Sequence, residues 1–345
     1  MITTIFWNGH EHRVRALWRQ ILQFVVFFAV LTVFLTILGA LLAPLKGTYN
    51  SRSSILVSIL AHVPFGEVVS AATVLLSIWL MARFINREPF ALFGFRFTRN
   101  WWIDCAFGLL LGLTLTTLVF LVELVAGWVT ITGTFASGIP GLPFALAILI
   151  PLVLFIGAAF FEESLFRGYP IRNLAQGITG RRISPTVAMV LLLLLSSLPF
   201  GWIHHGNPHA VVLGVINIGL AGVLFGLGYL LTGNLGLSIG LHIAWDFTQG
   251  CVFGSPVAGQ TLGVSLMTVA RHGPALWTGG AFGPDGGLLV TLAFVLGLLP
   301  VLLYIRLRYG QTRLYAPLAA YTPRIGAVSA ERETVARPVA RPSVS

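Results

Sequence analysis

Charge is what this sequence has least of. Only 9% of its 345 residues are Asp, Glu, Lys or Arg, and just 11 of them are acidic. A water-facing domain surface needs far more, so a soluble globular protein is excluded. Cysteine is nearly absent as well. Of the two, Cys105 and Cys251, the first falls near the inner end of an apolar segment and the second near the outer end of another. They lie too far apart for disulfide geometry, so a cross-linked secreted scaffold is excluded too. No HExxH zinc signature occurs. No convincing internal repeat is present.

In place of charge there is apolar sequence: 56% of residues are hydrophobic and the mean hydropathy is +0.89. The apolar residues come in long uncharged blocks, and a bilayer core about 30 Å thick is crossed by roughly 20 helical residues. Eight blocks meet that length: 18–43, 54–84, 101–131, 141–166, 185–204, 210–231, 235–253 and 287–305. The chain is therefore an all-α integral membrane protein of about eight transmembrane helices. A cytoplasmic N-terminus at 1–17 precedes a polytopic membrane domain at 18–305. Residues 306–345, rich in Arg, Ala, Pro and Ser, read as a disordered basic cytoplasmic tail resting on anionic lipid. The stretch 254–286 is glycine-rich with several prolines and reads as a surface loop. Met1 to Gln20 is polar and runs into a span too long for a signal peptide core, so the first helix is expected to stay.

The net charge of +10 is accounted for by topology. With both termini inside, eighteen of the 21 Lys and Arg fall on cytoplasmic segments, and only Lys46, Arg52 and Arg271 fall outside. This gives a multi-pass protein of the cell membrane with both termini cytoplasmic, its partners membrane lipids rather than nucleic acid. The sequence does not indicate the oligomeric state.

Ionisable groups within spans are costly, so each one is a candidate for function. Glu67, Asp104 and Glu123 lie near span ends, where water or snorkelling satisfies them, and His62, His209 and His272 lie near loops. Three clusters survive: Glu162, Glu163 and Arg167 in "EESLFR", His204 and His205 in "FGWIHH", and His242 and Asp246 in "HIAWD". Glu163 and Arg167 are four residues apart and share a helix face, as an ion pair requires, whereas Glu162 points about 100° away with no local partner. His242 and Asp246 are also four apart, so the carboxylate is placed to orient the imidazole. Counted at 1.5 Å per residue, Glu162 and His242 both lie about 7 to 11 Å below the cytoplasmic surface. His204 fits less easily, because a straight helix from Pro185 carries it about 28 Å.

The three motifs, in order on successive apolar segments, match EExxxR, FxxxH (Phe200 to His204) and HxxxN/D. Over about residues 140–255 the chain resembles the CPBP family of intramembrane glutamic endopeptidases, the CAAX protease and bacteriocin-processing family, related to the Ras-converting CAAX endopeptidase. The resemblance implies a polar catalytic pocket open toward the cytoplasmic side. There Glu162 activates water for attack on a peptide bond, His204 assists the water, and His242 and Asp246 stabilise the oxyanion, with Glu163, Arg167 and Phe200 in support. No cofactor or metal is implied, and the substrate is a peptide or lipidated protein. Asp246 departs from an amide at that place: an ionised carboxylate has no hydrogen to donate, so it orients His242 or carries a proton. Three other readings compete. "GLSIG" at 236–240 fits a Ser238 nucleophile, although a strand-to-helix elbow has no place in a membrane helix, and Gly236 and Gly240 equally form a helix-packing GxxxG. The Glu, His and Asp cluster holds zinc in a metal-dependent intramembrane protease. In a non-catalytic scaffold or binding protein, the polar cluster only joins helices.

Overall fold

The computed structural model describes residues 3–9, 11–43, 62, 64–180 and 182–323. Lys46, Arg52, Arg181, the first part of the expected 54–84 span and the tail from 324 lie outside the described residues.

The main helices are α1 (Ala16–Leu42), α2 (Phe65–Leu80), α3 (Arg99–Val125), α4 (Leu149–Glu163), α5 (Tyr169–Ile178), α6 (Pro185–Trp202), α7 (Val212–Thr232), α8 (Gly236–Phe247) and α9 (Leu288–Tyr309). Among the described residues, seven helical stretches are long and apolar enough to cross a membrane. The eighth expected span, 235–253, is α8 with a π-helical extension over Thr248–Val252. That rod is shorter than a span, and every α8 residue from Gly236 to His242 is buried. Its place is the centre of the bundle, where a helix need not match the lipid thickness because protein rather than lipid surrounds it.

Two glycines set α8 against α3. A Cβ on Gly240 would lie 2.2 Å from the Cys105 carbonyl oxygen, and one on Gly108 would lie 2.3 Å from that of Leu237. Backbones this close exclude any side chain, which is the packing role of small residues at membrane helix interfaces.

Sequence and structure part at three places. The rod expected to end near Phe166 continues to Ile178: α4 passes through a π-helical turn at Ser164–Gly168 into α5. Pro170 explains the widening, because it has no N–H for the Phe166 carbonyl and its ring crowds that oxygen. The expected 101–131 helix stops at Val125, and Val129–Ala136 forms strand β1, paired antiparallel with β2 (Ser265–Arg271). The 254–286 stretch is thus folded structure rather than a plain surface loop. Finally, α9 runs to Tyr309, and the chain to Thr322 packs onto the bundle: Arg172 donates to the Pro317 and Ala320 carbonyls, and the Thr322 N–H donates to Glu88. Basic composition made 306–323 read as free tail, but Glu88 is a buried acceptor for it.

Asp104 and Glu123 likewise differ from their reading as water-satisfied end groups. Both are buried. Asp104 accepts from the hydroxyls of Tyr304 and Tyr309, and Glu123 pairs with Arg271 at 2.6 Å. These contacts tie α3 to α9 and to β2 with partners more than 140 residues away.

Candidate active site

The rod α4–α5 delivers two carboxylates on different faces just ahead of its widened turn. Glu163 is fully buried and its Oε1 accepts from Arg167 at 2.9 Å, as the four-residue spacing predicts. The Arg167 guanidinium lies 4.0 Å from the ring centre of Phe200 on α6. Gly222 makes room for it, since a Cβ there would lie 2.6 Å from Arg167 Nη2. This gives Gly222 a purpose beyond helix packing.

Glu163 does more than its spacing revealed. The same Oε1 lies 3.1 Å from Nδ1 of His242 on α8. A carboxylate already bonded to arginine only accepts, so Nδ1 carries the hydrogen. The opposite ring nitrogen, Nε2, lies 3.4 Å from Asp246 and 3.7 Å from Glu162. Asp246 therefore does meet His242, but at the cavity side, while Glu163 holds the back of the ring. With Nδ1 carrying one hydrogen, Nε2 bears another only when the ring is protonated.

His204 sits in a single 3₁₀ turn, Ile203–Gly206, that ends α6. Its Nδ1 is 2.8 Å from the Phe200 carbonyl oxygen, which again assigns the hydrogen to Nδ1 and leaves Nε2 as an acceptor in the neutral ring. The awkward depth of His204 disappears with the longer rod. Measured from their neighbouring ends, Glu162 is about 24 Å from Ile178 and His204 about 28 Å from Pro185 at 1.5 Å per residue.

Glu162, His204, His242 and Asp246 line one cavity of about 70 Å³, room for about two waters. Phe200 lines it as well. The side chains of Glu162 and Asp246 keep 19% and 18% of their surface exposed, against 6% for His242. The cavity's remaining walls include Val257, Ala258 and Asp285 from the 254–286 segment, and none comes from the arginine-rich end of the bundle. His205 stays outside: it is exposed and stacks on Trp202 with centroids 5.0 Å apart. Ser238 is buried, and its hydroxyl donates to the Phe225 carbonyl at 2.7 Å. Among the described residues, no group of three His, Cys, Asp or Glu side chains is arranged to hold a metal ion.

Sequence reasoning missed Asp285. It is buried, and its carboxylate accepts from Trp245 Nε1, Gln249 Nε2 and the Ala258 N–H. Burial pushes the Asp285 carboxyl above its ordinary range, against the pull of those hydrogen bonds. The available signal was scarcity, since every acid in an 11-acid chain merits scrutiny, but "GPDGG" has the composition of a turn.

A bundle of membrane-length helices around a small cavity of carboxylates and imidazoles defines a polytopic membrane protein. Residues 143–248 match the family model described as type II CAAX prenyl endopeptidase Rce1-like. Over that stretch, which holds all three motifs, the chain is similar to this family. No curated protein and no solved structure matches the chain.

Proposed function

We propose that the protein is an intramembrane glutamic endopeptidase in which Glu162 activates a water held in the cavity. The observation that carries this reading is the convergence of Glu162, His204, His242 and Asp246 on one space of about 70 Å³. Glu162 takes a proton from water as the oxygen attacks the peptide carbonyl, and returns it to the leaving amine as the C–N bond breaks. The acceptor nitrogen of His204 orients the water. His242, fixed from behind by Glu163, offers the Nε2 proton to the oxyanion, and Asp246 holds that ring from the cavity side. Asp246 thereby serves without the amide hydrogen that an asparagine would bring.

The substrate is a peptide or lipidated protein met within the membrane. An apolar groove of about 300 Å³, lined in part by Phe24, Leu165, Phe166, Leu192 and Pro199, supports a lipidated one, because Phe166 packs edge-on against Phe200 of the cavity. We also propose that both termini are cytoplasmic. Reporter fusions at Gly310 and Gly283 are expected to read opposite sides of the membrane; agreement between them overturns that orientation.

The chemistry is tested in liposomes with a quenched, farnesylated CAAX peptide. Ser238→Ala is expected to keep most of the parent rate, its hydroxyl being engaged by a helix carbonyl, and a chelator is expected to leave the rate unchanged. Abolition by Ser238→Ala would establish a serine nucleophile instead, and chelator loss restored by zinc would establish a metalloprotease. A parent chain that cleaves neither this peptide nor any membrane peptide leaves the scaffold reading.

A further inference from the structure

The 33-residue segment 254–286 has no role in the proposed chemistry, yet one of its side chains reaches the cavity and holds two separate parts of its wall. Asp285 lies in a 3₁₀ turn, Pro284–Gly286, ahead of α9. Its Oδ1 accepts from Trp245 Nε1 at 3.1 Å, and its Oδ2 accepts from Gln249 Nε2 at 2.7 Å and from the Ala258 N–H at 2.8 Å. Trp245 immediately precedes Asp246 and lies one turn beyond His242 on α8. Ala258 is held by its other end too, because Asn207 Nδ2 donates to its carbonyl at 2.9 Å, and the Asn207 N–H donates to the carbonyl of His204. The Asp285 backbone is itself anchored, its carbonyl accepting from Asn217 Nδ2 on α7 at 2.8 Å.

The two sets of contacts meet on one carboxylate. Through Trp245 and Gln249 it fixes the face of α8 that presents His242 and Asp246. Through Ala258 and Asn207 it fixes the turn that carries His204. Ala258 has φ +44°, a left-handed conformation unfavourable for a residue with a Cβ, so its N–H reaches Oδ2 only while the turn is held in that shape. We infer that Asp285 is a positioning residue for the hydrolysis, setting the His242–Asp246 face of α8 and the His204 turn in register with Glu162 across the cavity. The inference rests on the proposed endopeptidase reading. It adds a residue from outside the three motifs and outside the matched stretch 143–248.

An isosteric amide tests it. Asparagine has one side-chain oxygen, so either way round its NH₂ group faces an existing N–H donor, that of Trp245 or the pair from Gln249 and Ala258. Asp285→Asn is expected to lower kcat on the quenched farnesylated CAAX peptide about 10- to 100-fold per folded molecule, the scale of a small misplacement of catalytic groups, while KM stays near the parent value. Trp245→Phe removes one donor and is expected to lower kcat in the same sense. The double variant is expected to lose no more than the worse single one, because both act on the same face of α8. A residue that only stabilises the fold would lower the thermal midpoint and leave kcat per folded molecule unchanged, and that result overturns the inference. So do losses that multiply in the double variant. Glu162→Gln in the same assay separates the two levels: if it slows cleavage by about 10²-fold or more while Asp285→Asn cleaves at the parent rate, only the positioning role fails. If Glu162→Gln cleaves normally, or the parent does not cleave, the endopeptidase reading fails and the inference with it.

Discussion

Glu162→Gln is expected to slow peptide cleavage by about 10²-fold or more, the contribution of a positioned general base, with the fold intact. The amide has the size and polarity of the carboxylate but cannot take up the proton of an attacking water. The substitution costs little in stability because, among the described residues, Glu162 holds no hydrogen bond that builds the fold. Its nearest ionic partner is His242 Nε2 at 3.7 Å, and part of its side chain faces open space. Cleavage in liposomes together with thermal unfolding in detergent checks both halves. Parent-like cleavage by this variant would remove Glu162 from the mechanism, whatever the stability result.

The neighbouring carboxylate is expected to behave in the opposite way. Glu163→Gln leaves the Arg167 guanidinium buried without its counter-charge, and breaking a buried pair by removing one partner costs about 3–5 kcal/mol. Arg167 has little to fall back on: its Nε and Nη2 have no hydrogen-bond partner among the described residues, and the guanidinium rests on the Phe200 ring. The thermal midpoint should therefore drop sharply, and activity should fall with it, because Glu163 also orients His242. A double variant separates these effects. Glu163→Leu with Arg167→Met removes both charges and is expected to regain much of the lost stability, yet to stay inactive for want of an acceptor at His242 Nδ1. Recovery of full activity in the double variant would show that Glu163 serves the arginine alone.

Adjacent glutamates with opposite assignments show how far residue spacing carries. The pairing of Glu163 with Arg167 and the isolation of Glu162 were both legible, because a helix places residues four apart on one face and neighbours about 100° apart. That Glu163 also grips His242, 79 residues away, was not, since i,i+4 logic reaches no further than one helix. Asp246 shows the same limit. Its spacing predicted contact with His242, which the structure contains, but the side of the ring it touches depends on where Glu163 sits. The setting of α8 was hidden for a related reason. Composition marks a segment as apolar without distinguishing a helix sheathed in lipid from one enclosed by other helices, so α8 read as an ordinary span.

Composition and motif order by themselves determined that this is an all-α membrane protein, where its apolar segments lie, and which carboxylates and imidazoles are too costly to be there by chance. Those properties are local: transfer free energy is set residue by residue, and helical facing is set over a single turn. Only the tertiary structure decided that the α4–α5 rod runs on past Arg167, bringing His204 level with Glu162. It alone enclosed the cavity with the 254–286 segment and made Asp285 the acceptor for Trp245, Gln249 and Ala258. Each of these depends on donors and acceptors far apart in the chain that must find one another once water is excluded. A buried polar group takes whatever partner the packing brings to it, and the order of residues along one strand of sequence does not say which partner that will be.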